Sequence, residues 1–114
     1  ETLAEMLEVM GHRVLLAEGG QHALQTLAGN NCDLVFTDLA MPDMDGWETS
    51  RAIRKRWPEM NVVLVTGYGS GTVPPAGEDK LVNGIIGKPF DFSQISETIT
   101  SILNAQPVLE NAGA

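Results

Sequence analysis

The stretch Asp33-Leu34-Val35-Phe36-Thr37-Asp38-Leu39-Ala40-Met41-Pro42-Asp43-Met44-Asp45-Gly46 decides how the rest of the chain is read. Its apolar run is too short for most helices and is bounded by turn formers, the pattern of a buried strand. Asp38 then stands at the carboxyl end of that strand, where open α/β sheets gather their ligands. Met41-Pro42 and Asp45-Gly46 punctuate a loop, and a helical pattern begins at Trp47.

Upstream, the chain opens at Glu1 rather than Met, and Thr2 to Met10 reads as an amphipathic helix closed by Gly11, with no cap residue before it. That start points to a natural chain extending further upstream. His12 to Ala17 is a short apolar run expected to form a strand. After Gly19-Gly20, residues Ala23, Leu24, Leu27 and Ala28 form the apolar stripe of a second helix. Downstream, Trp47 to Trp57 is a helix with Asp45 as its N-cap, Pro58 as its stop, Ile53 on its inner face, and Arg51, Arg54, Lys55 and Arg56 near the end where cations suit the helix dipole. Val62 to Val65 is a strand buried on both faces, ending at Thr66-Gly67. Gly67 to Gly77 carries Pro74-Pro75 and several glycines, so only Ala76 to Val82 could form a short helix. Gly84-Ile85-Ile86 is a last strand before Lys88-Pro89-Phe90. Asp91 with Gln94 starts a final helix with Ile95, Ile99, Ile102 and Leu103 facing inward. The expected domain is residues 1–104, with a mobile tail from Ala105.

At 114 residues the chain is one domain, and a hydrophobic fraction of 43% with a mean hydropathy of −0.02 is ordinary for a soluble protein. No stretch approaches the ~20 apolar residues of a membrane span. A net charge of −8 argues against nucleic acid or anionic lipid as a direct partner. The single cysteine, Cys32, makes no internal disulfide, fits a reducing, cytoplasmic compartment, and reads as a packing residue.

Strands alternating with helices at these spacings imply a parallel, doubly wound sheet with right-handed crossovers. Three strand ends then meet at one edge: Asp38, Thr66 and Lys88. A carboxylate, a hydroxyl and an ammonium together suit an anionic group on the carboxylate. Asp can attack phosphorus, Lys can pair with a phosphoryl oxygen, and Thr can donate to another. Phosphoryl transfer depends chiefly on such positioning and charge neutralisation. Gly67 leaves room for the added group.

Asp38 to Gly46, Val65-Thr66-Gly67 and Gly87-Lys88-Pro89-Phe90 resemble, in order and spacing, the receiver domain of two-component response regulators, and the resemblance runs to about Asn104. It implies a flavodoxin-like sheet of strand order 2-1-3-4-5. It also implies Asp38 as phosphoacceptor, loaded from a phosphohistidine on a sensor histidine kinase or a histidine phosphotransfer domain, after which the receiver switches its partner interactions. Thr66 and Lys88 would hold the phosphoryl group, and Mg²⁺ would be bound by Asp38 and the Ala40 carbonyl. The loops around the site, Gly67-Tyr68 included, resemble the receiver modules of hybrid sensor kinases, whose kinase activity would lie outside this chain.

Two departures stand out. Family members open with a central strand ending in an acidic pair that holds Mg²⁺, whereas this chain begins roughly fifteen to twenty residues later. Strand 1 is therefore absent, and the usual acidic pair belongs upstream of Glu1. Asp43 and Asp45 are poor substitutes, Asp45 being a cap. The slot between the His12 to Ala17 strand and the Leu34 to Asp38 strand would be filled by an upstream segment or by another chain, giving a dimer or strand-swapped oligomer. Second, Ile85 stands three before Lys88, where the family commonly has a switching aromatic.

Two other functions compete with the phosphorelay reading. A receiver-like docking module that is never phosphorylated would share these motifs. A haloacid-dehalogenase-like phosphatase would need a second Asp where Ala40 stands. His12 and His22 lack spaced partners for metal or nucleophilic chemistry. Met41, Met44, Met60, Trp47 and Trp57 read as packing residues, and Tyr68 could overhang the site.

Overall fold

The computed structural model describes residues 2–39, 43–67, 77 and 81–104. Helix α1 (Leu3–Val9) opens on Thr2, whose hydroxyl accepts from the Glu5 N–H at 3.1 Å while the Glu5 carboxylate accepts from the Thr2 N–H at 2.9 Å. This reciprocal capping box corrects the expectation of an uncapped start after Glu1, because Thr-x-x-Glu satisfies two of the helix's orphan donors. Glu1 itself lies outside the described residues. Then follow α2 (Gly20–Gly29), β1 (Leu34–Asp38), α3 (Gly46–Arg56), β2 (Asn61–Thr66), β3 (Gly84–Gly87) and α4 (Phe92–Asn104). Asp45 caps α3 as expected, and Glu48 completes a capping box with it that was not anticipated, while Asp91 and Gln94 exchange the expected pair of bonds ahead of α4.

The three strands pair in parallel in chain order, with Asp38 opposite Val65 and Thr66 opposite Gly87. This is the α/β parallel sheet expected, in the order of its last three strands. Alternation along the strands divides the core into two layers. Met6 of α1 and Ile95 and Ile99 of α4 pack with Val63 and Ile86 on one face, while Leu27 of α2 and Ile53 of α3 pack with Val62 on the other. Covered on both faces, β2 is apolar at four consecutive positions, and Val62, Val63 and Leu64 are fully buried. Cys32 and Trp57 pack against the α2–α3 layer, as read, but Ala28 is exposed and the α2 stripe is narrower than its spacing implied.

The strand expected over His12 to Ala17 is not formed. Residues 12–17 run without sheet pairing, and Leu16 is 73% exposed. Apolar composition cannot make a strand without a neighbouring ladder to take its N–H and C=O groups. Among the described residues no strand lies beside the outer edge of β1. A cleft of about 610 Å³ opens there instead, lined by Leu7, Leu15, Ala23, Leu27, Phe36 and Ile99. The helix expected over Ala76 to Val82 falls mostly outside the described residues, as does the tail from Ala105.

Candidate functional site

Parallel pairing carries the three candidate residues to one edge of the sheet. Asp38 ends β1, Thr66 ends β2, and Lys88 directly follows β3. The ladder extends one bond past the strands, since the Leu39 N–H donates to the Val65 carbonyl at 3.1 Å and the Lys88 N–H donates to that of Thr66 at 2.7 Å. The three strand ends are thus fixed by backbone bonds rather than by loop packing.

From β3, the Lys88 ammonium reaches across β2 to Asp38, with Nζ 3.1 Å from Oδ1. Two strand spacings are about 9–10 Å, so only a long side chain bridges them. Both partners are half exposed, at 48% for Lys88 and 52% for Asp38. An ion pair in such contact with water adds only about 0–1 kcal/mol to stability, so its consequence is chemical. It holds a cation beside a carboxylate oxygen that solvent can reach. Thr66 is 1% exposed and forms the floor of the edge between them. A Cβ at Gly67 would meet nothing within 4 Å, which agrees with the room expected there.

On the far side of Asp38, α3 begins unusually close to the strand. A Cβ at Gly46 would lie 2.6 Å from the Asp38 carbonyl oxygen and 2.5 Å from Leu64 Cδ1. Glycine is therefore required, and the Gly46 N–H donates to the Leu39 carbonyl at 2.7 Å. Ser50 Oγ and Thr49 Oγ1, both buried, donate to the Gly46 and Asp45 carbonyls and tighten this first turn.

Asp43 has a role that local sequence patterns do not reveal. Its Oδ1 accepts from the Gly20 N–H at 3.0 Å and the Met44 N–H at 2.9 Å, and its Oδ2 accepts from the Gln21 N–H at 3.0 Å. The Gln21 and Gly20 bonds hold its carboxyl below the usual carboxylate range. The N-cap of α2, Gly19, has no side chain to cap with, so Asp43 caps that helix from another part of the chain. The only advance signal was the missing cap residue at Gly19.

Both loop carboxylates near Asp38 are therefore engaged at helix starts, Asp43 on α2 and Asp45 on α3. Among the described residues no three His, Cys, Asp or Glu side chains are placed to share a metal ion. The donor set described does not by itself fit Mg²⁺. Of the expected metal site, the Ala40 carbonyl lies outside the described residues, and so does Glu1, the residue upstream of which the acidic pair was expected. Met41 and Tyr68 also lie outside them. Ile85 is half-buried on β3 opposite Leu64. His22 accepts at Nδ1 from the Glu18 N–H, a local bond at the start of α2.

The family model of the response regulator receiver domain matches residues 1–100. Among curated proteins, the chain is 31% identical over 105 residues to hybrid signal transduction histidine kinase E of Dictyostelium discoideum, covering 87% of this chain and 6% of that protein. It is 33% identical over 118 residues to the transcriptional regulatory protein ZraR of Klebsiella oxytoca, covering 98% of this chain and 26% of that protein. The chain thus spans a small part of either relative. Among solved structures, the response regulator TrrA of Thermotoga maritima, crystallised in complex with Mg²⁺–BeF, superposes with a TM-score of 0.77 at 29% identity over 88% of this chain and 85% of that one.

Proposed function

The chain belongs to the response regulator receiver domain family, the phosphoacceptor module of two-component signalling, and from that premise we propose that Asp38 is its phosphoacceptor. The observation that carries the assignment is the 3.1 Å contact between Lys88 Nζ and Asp38 Oδ1 at the carboxyl edge of the sheet, with Thr66 one strand away. An Asp38 carboxylate oxygen attacks phosphorus of a phosphohistidine. The new O–P bond forms as the N–P bond breaks, and the electron pair returns to the imidazole. Lys88 neutralises one phosphoryl oxygen and the Thr66 hydroxyl donates to another, the charge compensation that such transfers depend on.

The partner in this reading is a sensor histidine kinase or histidine phosphotransfer domain in the cytoplasm, and the relatives include hybrid kinases. Loading converts the domain to a phosphoprotein with altered partner contacts. Mg²⁺ is the metal this reading calls for, with Asp38 and the Ala40 carbonyl as this chain's ligands and an acidic pair from upstream of Glu1 completing the set. In this reading the receiver occupies residues 1–104, and residues 105–114 lie outside the described residues. The edge of β1 that no described strand covers is where this reading seats a further strand. None of the described helices is long and apolar enough to cross a membrane, and a charge of −8 disfavours direct contact with nucleic acid.

Incubating the full-length natural protein with acetyl phosphate and Mg²⁺, followed by intact-mass measurement, tests the assignment. The expected result is the gain of one phosphoryl group by the wild type and none by Asp38→Asn. Absence of any gain in the wild type, with binding to a kinase partner retained, identifies a docking module instead.

A further inference from the structure

The Asp43 carboxylate joins the loop after Asp38 to the first turn of α2, in addition to the apolar layer that Leu27 of α2 and Ile53 of α3 share. It stands in the loop between Asp38 and α3, and its bonds to Gly20 and Gln21 reach back 23 and 22 residues to the first turn of α2. The fit around it is close. A Cβ on Gly19 would lie 2.6 Å from Asp43 Oδ1, and one on Gly20 would lie 2.6 Å from Thr49 Oγ1 and 2.7 Å from Met44 Sδ. Met44 Sδ also receives the Gln21 side-chain amide at 3.6 Å. Two residues along the chain from Met44, the Gly46 N–H donates to the Leu39 carbonyl at 2.7 Å, and Gly46 sits so near the strand that a Cβ on it would lie 2.6 Å from the Asp38 carbonyl oxygen. The start of α2 is therefore tied by contacts to Asp43 and Met44, and from there along the backbone to the end of β1.

We infer that Asp43 is a positioning residue for phosphoryl transfer, holding the loop after Asp38 against α2 so that the Asp38 carboxylate is presented to the donor in one orientation. The inference rests on the reading of Asp38 as phosphoacceptor. Asp43 itself touches neither donor nor phosphoryl group. Its effect passes through the seat of Gly46 on Asp38, and small displacements at a reacting atom cost rate steeply. The low pKa of its carboxyl keeps the anion that the three N–H groups require.

A bland alternative is that Asp43 only caps α2, and a compensating substitution separates the two. In Asp43→Ala the carboxylate is gone and the space beside Gly19 opens, so Asp43→Ala/Gly19→Ser can restore an ordinary local N-cap without restoring the tie to the loop. The full-length protein is compared as wild type, single variant and double variant. Three quantities are read: melting temperature, the rate of Asp38 phosphorylation by acetyl phosphate, and hydrogen exchange of the Gly46 amide in the unphosphorylated protein.

Positioning predicts that the double variant regains most of the melting temperature lost in the single one. Its phosphorylation stays about tenfold slower than wild type, and its Gly46 amide exchanges faster. Recovery of all three in the double variant shows a helix cap and overturns the inference. A wild type that takes no phosphoryl group overturns the underlying reading, and with it any role in transfer. Gly46 exchange, which needs no phosphate, then still reports whether Asp43 seats the loop.

Discussion

Two apolar tetrads in this chain meet opposite fates. Val62-Val63-Leu64-Val65 lies in β2, with Val62, Val63 and Leu64 fully buried, whereas Val14-Leu15-Leu16-Ala17 forms no strand and leaves Leu16 73% exposed. Three valines against one favour residues 62–65 by propensity, but β-propensity is a weak preference that the surroundings of a strand override. What differs is the neighbourhood. β2 has a parallel partner on each side and a helix layer on each face. Residues 12–17 face a cleft where a neighbouring strand would have to be. Strand formation here is decided by available hydrogen-bonding partners and only permitted by composition.

The largest expected effect comes from truncating one leucine in each tetrad. Leu64→Ala removes a side chain enclosed on all sides and should cost about 3 kcal/mol in urea unfolding, within the range for core leucines. In the 114-residue chain alone, with no strand beside β1, Leu16→Ala should change stability by less than about 0.5 kcal/mol. Comparable losses at the two positions would mean that residues 12–17 are packed in solution, and the contrast between the two regions would be lost.

Arg54 sharpens the comparison from the β2 side. Its guanidinium Nη1 donates to the Pro58 and Met60 carbonyls, and Nη2 donates to the Leu81 carbonyl at 3.0 Å and to Asn83 Oδ1 at 3.3 Å. Asn83 in turn accepts from the Val62 N–H at 2.8 Å, and Asn61 donates to the Asp33 carbonyl at 3.1 Å. The amino ends of β1, β2 and β3 are thereby tied together. Arg54→Met keeps the apolar stem but leaves the part-buried Met60 and Leu81 carbonyls without their donor, an expected loss of about 2 kcal/mol by chemical denaturation. Arg54→Lys should recover little of it, because a compact ammonium cannot span acceptors that the planar fork reaches together. Full rescue by lysine would show that charge alone matters there.

How much of this was legible in the sequence follows the same division. Asp45, Asp91, Ile53 and Ile95 could be read because a cap or an inward face is a local pattern. The candidate site could be read because parallel topology brings successive strand ends to one edge, so Asp38, Thr66 and Lys88 gained meaning as a set. Thr2 was a local signal overlooked, since Thr-x-x-Glu is present in the sequence. Residues 12–17 were misread because a strand depends on a partner elsewhere. Arg54 looked like a cation near a helix end, and its service to four acceptors depends on loops that come together only in the fold. Asp43 had no local signature, because its helix partners are 22 and 23 residues away.

The smallest expected effect concerns pH, and it falls on one side of the comparison. The β2 side is tied by a guanidinium, amides and carbonyls, none of which changes charge in mild acid. The edge side is tied by Asp43, a carboxylate whose folded-state pKa is depressed, first by the Gln21 and then by the Gly20 backbone bonds. A depressed carboxylate contributes stability that is present above its ordinary, unfolded-state range and is lost as pH falls through the folded value. Acid should therefore loosen the start of α2 before it loosens β2. Hydrogen exchange followed down through the carboxylate range should show protection at Gly20 and Gln21 falling while Val62 to Val65 hold. Asp43→Asn should begin with weaker protection at α2, because the amide keeps one acceptor oxygen and turns a donor toward the other N–H. It should also flatten the pH dependence there. A pH dependence that survives Asp43→Asn would show that the loosening of α2 does not begin at the Asp43 carboxylate.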